Sequence, residues 1–287
     1  MRIGLHALGI GSGADPDVIA ATARHAEDRG FATLWCGEHV VMVDQPSSRY
    51  PYTPDGQIAV PVDADWLDPL ACLGFAAAHS STIRLATGVL LLPEHNPVIM
   101  AKQVASLDRL SKGRFTLGVG IGWSRDEFDA LGVPFSRRAE RTAAYLEAMR
   151  ALWSTEVATV ESDFVSFRDV RVNPKPTQSH VPVILGGNSD RALMRVAEWS
   201  DGWYGFNLDG LDHVADRLAT LRSYCAERDR AMSDMRIAVA LRDPRDAELG
   251  DLEHLGVDEL VIVESPPDSA DAVEEWIADL AQRWIDR

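Results

Sequence analysis

The stretch that decides the fold runs from Ile83 to Trp123, IRLATGVLLLPEHNPVIMAKQVASLDRLSKGRFTLGVGIGW. It opens with an apolar run, Ile83–Leu91, that lacks the alternation of a strand with one face in water. Strands buried on both faces, as in a parallel sheet, have this character. Asn96-Pro97 follows, an N-cap with proline at the first helical position. Met100, Val104, Leu107 and Leu110 then fall on one helical face, and Gly113 is suited to ending that helix. A second apolar run, Arg114–Val119, starts at once. Strand, helix and strand in that order make a parallel β-α-β unit.

The same rhythm extends in both directions. Upstream lie the strand candidates Ile3–Leu8 and Thr33–Cys36. Downstream lie Val183–Leu185, Gly202–Phe206, Ile237–Leu241 and Glu259–Val263. Asp15-Pro16 repeats the helix-start signal, with Ile19, Ala23 and Ala26 on one face. Tyr145, Leu146, Met149, Leu152 and Trp153 share another face, as do Val273, Trp276, Ile277, Leu280 and Trp284. Eight strands alternating with helices in 287 residues predict an α/β fold, a single (β/α)8 TIM barrel covering 1–287. No Gly-x-Gly-x-x-Gly follows the first strand, which counts against a doubly wound dinucleotide-binding sheet. Two stretches break the rhythm, Val40–Pro69 after strand 2 and Thr155–Pro182 before strand 5. Insertions of this length are usually functional lids or disordered segments, and both follow regular elements from which they could cover the top of the barrel.

The formal net charge is -16. Such a surface repels phosphate backbones and anionic membranes, so nucleic acid and membrane are set aside as partners. The cysteines Cys36, Cys72 and Cys225 are odd in number and widely spaced, which predicts free thiols in a reducing compartment. The first apolar run begins at Ile3 with no basic segment before it, and no run is long enough to span a bilayer. A cytoplasmic protein with a small-molecule substrate is expected.

In a (β/α)8 barrel the chemistry lies where strands end. The residues there are His6, Glu38, His39, Glu94, His95, Gly120, Gly122, Trp123, Gly186, Gly187, Asn188, Ser189, Asn207, Arg242, Glu264 and Ser265. Gly186-Gly187-Asn188-Ser189 opens a helix. Its glycines let a ligand approach the backbone, and its free amides suit an anion. A tight turn with Asn188 or Ser189 as N-cap explains the same residues. Gly118-Val119-Gly120-Ile121-Gly122-Trp123 suits a flat ring lying against bare backbone, or a bend at the barrel rim. His39, beside Glu38, is placed for proton transfer near neutral pH, or for a structural hydrogen bond in the rim. His6 could point into packed interior, and His95 could be a turn residue. No zinc-protease motif, nucleophile elbow or P-loop is present, and no metal site is expected. Glycine-rich ring contacts with one or two histidines fit chemistry carried by an organic cofactor.

At this point the residues resemble a known family. Leu34-Trp35-Cys36-Gly37-Glu38-His39, Ile83-Arg84-Leu85-Ala86-Thr87-Gly88-Val89 and Asn96-Pro97 are similar to segments of the luciferase-like monooxygenase superfamily. So are Gly118–Trp123, Glu127-Phe128-Asp129-Ala130-Leu131-Gly132, Asn173-Pro174-Lys175-Pro176, Gly186-Gly187 and Asp201-Gly202-Trp203. The Gly-Ile-Gly-Trp and Asn-Pro-Lys-Pro pieces most resemble the actinobacterial branch dependent on the deazaflavin coenzyme F420.

The resemblance implies an isoalloxazine-type ring at the strand ends, backed by a non-prolyl cis peptide at Gly88-Val89. It implies cofactor contacts from Gly88, Val89, Gly120, Ile121, Gly122, Gly186 and Gly187, to which the reading of the strand ends adds His6, Trp123 and Asn188, and a catalytic acid-histidine pair in Glu38 and His39. It also implies a homodimer. Trp123 stands where sugar-phosphate dehydrogenases of the superfamily have glutamate, which argues against a sugar-phosphate substrate. Three functions follow: an F420-dependent oxidoreductase, an FMN-dependent monooxygenase, or a flavin-binding barrel without turnover.

Overall fold

The computed structural model describes residues 1–286. Its strands are β1 (Arg2–Leu8), β2 (Thr33–Cys36), β3 (Arg84–Thr87), β4 (Leu90–Leu91), β5 (Phe115–Gly120), β6 (Ala158–Glu161), β7 (Ser166–Val170), β8 (Val183–Gly186), β9 (Gly202–Leu208), β10 (Arg236–Leu241) and β11 (Glu259–Val263). The helices are α1 (Pro16–Asp28), α2 (Pro69–Ala78), α3 (Pro97–Leu110), α4 (Arg125–Ala130), α5 (Arg138–Ser154), α6 (Asp190–Trp199), α7 (Leu211–Ala226), α8 (Leu249–Leu255) and α9 (Ala270–Trp284).

Eight parallel strands run β3-β2-β1-β11-β10-β9-β8-β5, and a β3–β5 pairing closes the barrel. The helix starts follow the local chemistry. Asp15 caps α1 through the amides of Asp17 and Val18, and Asn96 caps α3 through those of Val98 and Ile99. Helix α3 stops at Leu110, and Lys112 and Gly113 both turn into positive φ, at 57° and 82°.

The third strand is where the geometry of the site begins. Ala86 lies opposite Thr116, but Leu90 lies opposite Val119. One extra residue is therefore accommodated across the Gly88–Val89 bond, which is cis. The Thr87 hydroxyl fills the broken ladder by donating to the Gly118 carbonyl at 2.7 Å and accepting from its amide at 2.8 Å. A Cβ at Gly118 would run into the Thr87 carbonyl oxygen, so this glycine serves strand pairing, while Gly120 and Gly122 line the cavity.

Most of the core lies between strands and helices, where Leu34, Leu117 and Leu260 meet Ile19, Val104 and Ile277. Inside the barrel a smaller cluster, including Trp35, Ala86, Ile184, Tyr204 and Val261, fills the lumen, with Trp35 and Tyr204 stacked at 4.7 Å. Below it the buried Glu259 carboxyl accepts from Trp35 Nε1 at 2.8 Å and Thr33 Oγ1 at 3.1 Å. Burial pushes that carboxyl upward in pKa. The lumen is thus packed from its N-terminal end, and space for a ligand remains at the C-terminal ends of the strands.

The two insertions behave differently. Residues 40–68 fold over the C-terminal mouth. The second insertion does not cover it, contrary to the sequence expectation. It forms the β6–β7 hairpin, packs beside α5, and is tied to the opposite end of the barrel. There Gln178 donates through its side chain to Asp108 Oδ1 and the Phe115 carbonyl, and the amides of Thr177 and Gln178 donate to Asp108 Oδ2. A buried carboxylate in need of donors explains that route. Among the described residues no helix is long and apolar enough to cross a membrane, and all three cysteines are free and buried.

Candidate active site

All eight strand ends contribute to one cavity of about 780 Å³, within the range of roughly 300–1,000 Å³ usual for small-molecule sites. His6 comes from β1, and Gly37, Glu38 and His39 follow β2. Gly88 and Val89 come from the cis bulge, and Gly120, Ile121, Gly122 and Trp123 from the end of β5. Gly186, Gly187 and Asn188 follow β8, and Tyr204, Phe206 and Asn207 lie on β9. Arg242 follows β10, and Val263, Glu264 and Ser265 end β11. Every residue expected to touch cofactor or substrate therefore lines the same space.

The floor beside the cis bond is shaped by missing side chains. The Val89 side chain sits between Gly120 and Gly186; a Cβ at either would approach it to 2.7 or 3.0 Å. Gly122 takes φ +75°, and a Cβ there would strike Phe128. His6 lies beneath, with Nδ1 3.2 Å from the Tyr204 hydroxyl. Burial lowers its pKa to about 4, so it is neutral at pH 7. The Asn188 amide donates to the Phe206 carbonyl at 2.7 Å, while its buried Oδ1 has no partner. Ser189, not Asn188, caps α6.

The sequence couples Glu38 with His39, and the structure separates them. Successive residues of an extended segment point opposite ways. Glu38 turns inward, accepts the Leu91 amide at 2.5 Å and meets His95 Nε2 at 3.0 Å. It pins the chain just beyond the cis bond. Burial opposes a charge on His95, but the hydrogen bond and charge of Glu38 outweigh it and raise the pKa. His39 turns the other way, and its Nδ1 lies 2.8 Å from Glu127 Oε2. Glu127 Oε1 also accepts the Val40 amide at 2.7 Å. Glu127 is 1% exposed and belongs to α4. The signal for it is Ser124-x-x-Glu127, the spacing of a capping box. Ser124 does accept from the Glu127 amide at 3.3 Å, but the glutamate side chain goes to His39 instead of back to the cap.

The lid carries rings to the same place. His39 meets Trp66 edge-on at 4.9 Å and Trp123 at 5.7 Å. Tyr50 packs on Trp123 at 5.2 Å, and Tyr52 on Phe206 at 5.5 Å. Asn207 donates to the Tyr52 carbonyl at 2.7 Å, Trp66 donates to the Gly37 carbonyl at 3.2 Å, and Asp126 accepts from Ser47 and Ser48. Arg242 is neutralised by Asp209 at 2.7 Å.

Glu94 is a further carboxyl beside the site. Both its oxygens are buried without a partner. Desolvation, then the charges of Glu127 and Glu38, raise its pKa to about 9. The folded value lies above the ordinary 4.5, so the neutral form costs nothing below pH 4.5 and stability falls as pH climbs from there toward 9. Glu94→Gln removes this dependence. In urea unfolding at a series of pH values, the stability of the variant relative to wild type should rise between pH 5 and 8, by up to about 1.4 kcal/mol per pH unit. A constant difference would mean that Glu94 is ionised and solvated.

A closed barrel with a glycine-floored cavity and a carboxylate-held histidine at its C-terminal mouth is the architecture of an enzyme that borrows an organic cofactor. The chain belongs to the luciferase-like monooxygenase family, whose model matches residues 3–242. That family comprises flavin- or F420-dependent oxidoreductases and monooxygenases. An uncharacterized protein of Mycobacterium tuberculosis is 37% identical over 265 residues, 92% of this chain and 93% of the relative. An FMNH2-dependent dimethylsulfone monooxygenase of Pseudomonas putida is 29% identical over 160 residues, 54% of this chain and 44% of that protein. Among solved structures, an F420-dependent secondary alcohol dehydrogenase with an F420-acetone adduct superposes with a TM-score of 0.76. It covers 98% of this chain and 97% of its own at 16% identity.

Proposed function

We propose that the protein is a coenzyme F420-dependent oxidoreductase that transfers hydride to or from a small organic substrate. The observation that carries this reading is the His39–Glu127 pair, set into the wall of a cavity with a bare-backbone floor. The residues present fit a tricyclic ring with an anionic tail. Val89, between Gly120 and Gly186, offers a flat apolar surface. The unpartnered Asn188 Oδ1 awaits a donor, and the amide-rich start of α6 beside Gly187 suits phosphate. His6, Gly88, Ile121, Gly122 and Trp123 complete the set that would hold the ring. A bound deazaflavin supplies the hydride position at its C5.

The chain supplies the proton and the enclosure. A carboxylate at His39 Nδ1 makes that nitrogen the donor and leaves Nε2 for the reacting group. His39 would accept the proton when substrate is oxidised and deliver it when substrate is reduced. Glu38 holds the cis bulge in place. Tyr50, Tyr52, Trp66 and Trp123 exclude water and favour an apolar or aromatic substrate. The F420-dependent alcohol dehydrogenase with the same fold supports the deazaflavin reading, and the FMNH2-dependent relative keeps the oxygen-using alternative in the experiment.

The test is a fluorescence titration of the purified protein with F420 and, separately, with FMN, followed by oxygen uptake with the reduced cofactor. Tight F420 binding without oxygen consumption is the expected result. Binding of FMN alone, with oxygen uptake, would move the protein to the monooxygenase class. Binding of neither would end the redox reading.

A further inference from the structure

Next to the glycine floor lies a group of arginines with no ion-pair partner among the described residues. Arg125 opens α4, Arg138 opens α5, and Arg191 and Arg195 stand one turn apart on α6. Arg195 lines the cavity. Arg138 reaches it through a 2.9 Å hydrogen bond from Nε to the Gly122 carbonyl. Arg125 and Arg138 both lie over the Phe135 ring, at 4.4 and 3.8 Å. Two of the four, Arg138 and Arg195, have their charge disfavoured by their surroundings. Burial first, then Arg138 and Arg191, lower the pKa of Arg195; burial, then Arg125, lower that of Arg138.

Each placement is locally unfavourable. A cation in the first turn of α5 or α6 opposes the helix dipole, and like charges four apart on α6 repel. Carboxylates are abundant in a chain with 44 Asp and Glu against 28 Lys and Arg, yet none pairs with these arginines among the described residues. The acids beside them in sequence are committed elsewhere. Asp126 holds Ser47 and Ser48, and Glu127 holds His39. Glu140 pairs with Arg137 at 2.8 Å, and Asp190 with Arg217 at 2.7 Å. Glu198 favours the charge on Arg195 without forming an ion pair. Four unneutralised guanidiniums on an acidic protein, beginning in the cavity and running outward along its rim, are the counterpart of a ligand whose negative charges extend beyond the cavity.

We propose that Arg125, Arg138, Arg191 and Arg195 form a seat for a multiply charged cofactor tail, the glutamate-bearing tail of coenzyme F420 beyond its phosphate. This rests on the deazaflavin reading above and deepens it. FMN ends in a single phosphate, which Arg195 and the start of α6 would satisfy, leaving Arg125 and Arg191 without a partner. The outer arginines therefore act as a specificity element for tail length and charge.

The experiment compares F420 carrying its glutamates with the same deazaflavin ending at the phospholactate, by fluorescence titration at low and high salt. At low salt the glutamate-bearing form should bind about two- to fivefold more tightly for each arginine engaged. The advantage should vanish near 1 M salt, where the screening length falls to about 3 Å. The Arg191 side chain is exposed and has no hydrogen-bond partner among the described residues, so Arg191→Gln and Arg191→Glu should fold as wild type. They should weaken the glutamate-bearing form, the reversal by about fivefold or more, and weaken the phospholactate form less, Arg191→Gln scarcely at all and Arg191→Glu only through its i,i+4 neighbour Arg195. Equal affinity of the two forms at low salt, or indifference to Arg191→Glu, would overturn the tail seat while leaving the deazaflavin reading intact. Binding of FMN alone would overturn both.

Discussion

His39→Ala lowers turnover by about 10²- to 10⁴-fold, the span of general acid–base catalysis, and leaves F420 affinity close to wild type. The expectation follows from what His39 touches. Its Nδ1 is engaged by Glu127, and its ring stands edge-on between Trp66 and Trp123. No backbone group depends on it. The Val40 amide is held by Glu127 and survives the substitution. The glycine floor, the Val89 surface and the start of α6 lie on other strand ends, so ring and tail contacts persist. Steady-state kinetics with saturating F420, beside a fluorescence titration of each variant, separates the two quantities. His39→Gln sharpens the test, since the amide can keep a hydrogen bond to Glu127 but cannot shuttle a proton. Turnover unchanged in both variants would make the histidine a structural rim residue and remove the proton-transfer role.

The barrel was legible in the sequence because its strands are buried on both faces. Runs such as Thr33–Cys36 and Glu259–Val263 coincide with β2 and β11 to the residue. Glycine and proline punctuation did the same for helix starts at Pro16 and Pro97. The run Ile83–Leu91 read as one strand, and no periodicity marks its division into β3 and β4. The break at Gly88–Val89 came from family likeness, not from the pattern. The hairpin β6–β7 was not legible at all. Its strands are short and largely exposed, so they lack both the buried run and the clean alternation that identify strands.

Within the site, reading the ends of strands collected residues that line one cavity, since every strand end points at the same mouth, although Glu94 and His95, read in the same way, lie outside its lining. It could not say which side chains pair. Glu38 is next to His39 in the chain and was coupled to it by that adjacency and by family likeness, whereas the side chain that meets His39 is 88 residues away on α4. The positions of Arg138 and Arg195 were equally out of reach. Each reads as an ordinary surface arginine on an amphipathic helix until the fold shows that the neighbouring acids are engaged elsewhere.

Glu127 therefore carries the second large effect. Glu127→Gln keeps the shape of the side chain, and its amide oxygen can still accept from the Val40 amide, so the loop after β2 stays in place. The amide nitrogen, however, faces His39 Nδ1. A donor there forces Nδ1 to be the acceptor and places the proton on Nε2, the wrong tautomer for a base. It also removes the negative charge that stabilises the imidazolium once a proton is taken. The loss in kcat should be about 10²-fold or more, with F420 affinity unchanged. A merely structural glutamate would lower activity through misplacement of the loop, and that loss would add to any other. A positioning residue acts only through its histidine. In the His39→Ala background, Glu127→Gln should accordingly cost nothing further, because groups acting as one unit are not additive. Losses that multiply in the double variant would sever the pair. Losses that coincide would assign to a helix residue, hidden from solvent and from the sequence pattern, the orientation on which proton transfer at the barrel mouth depends.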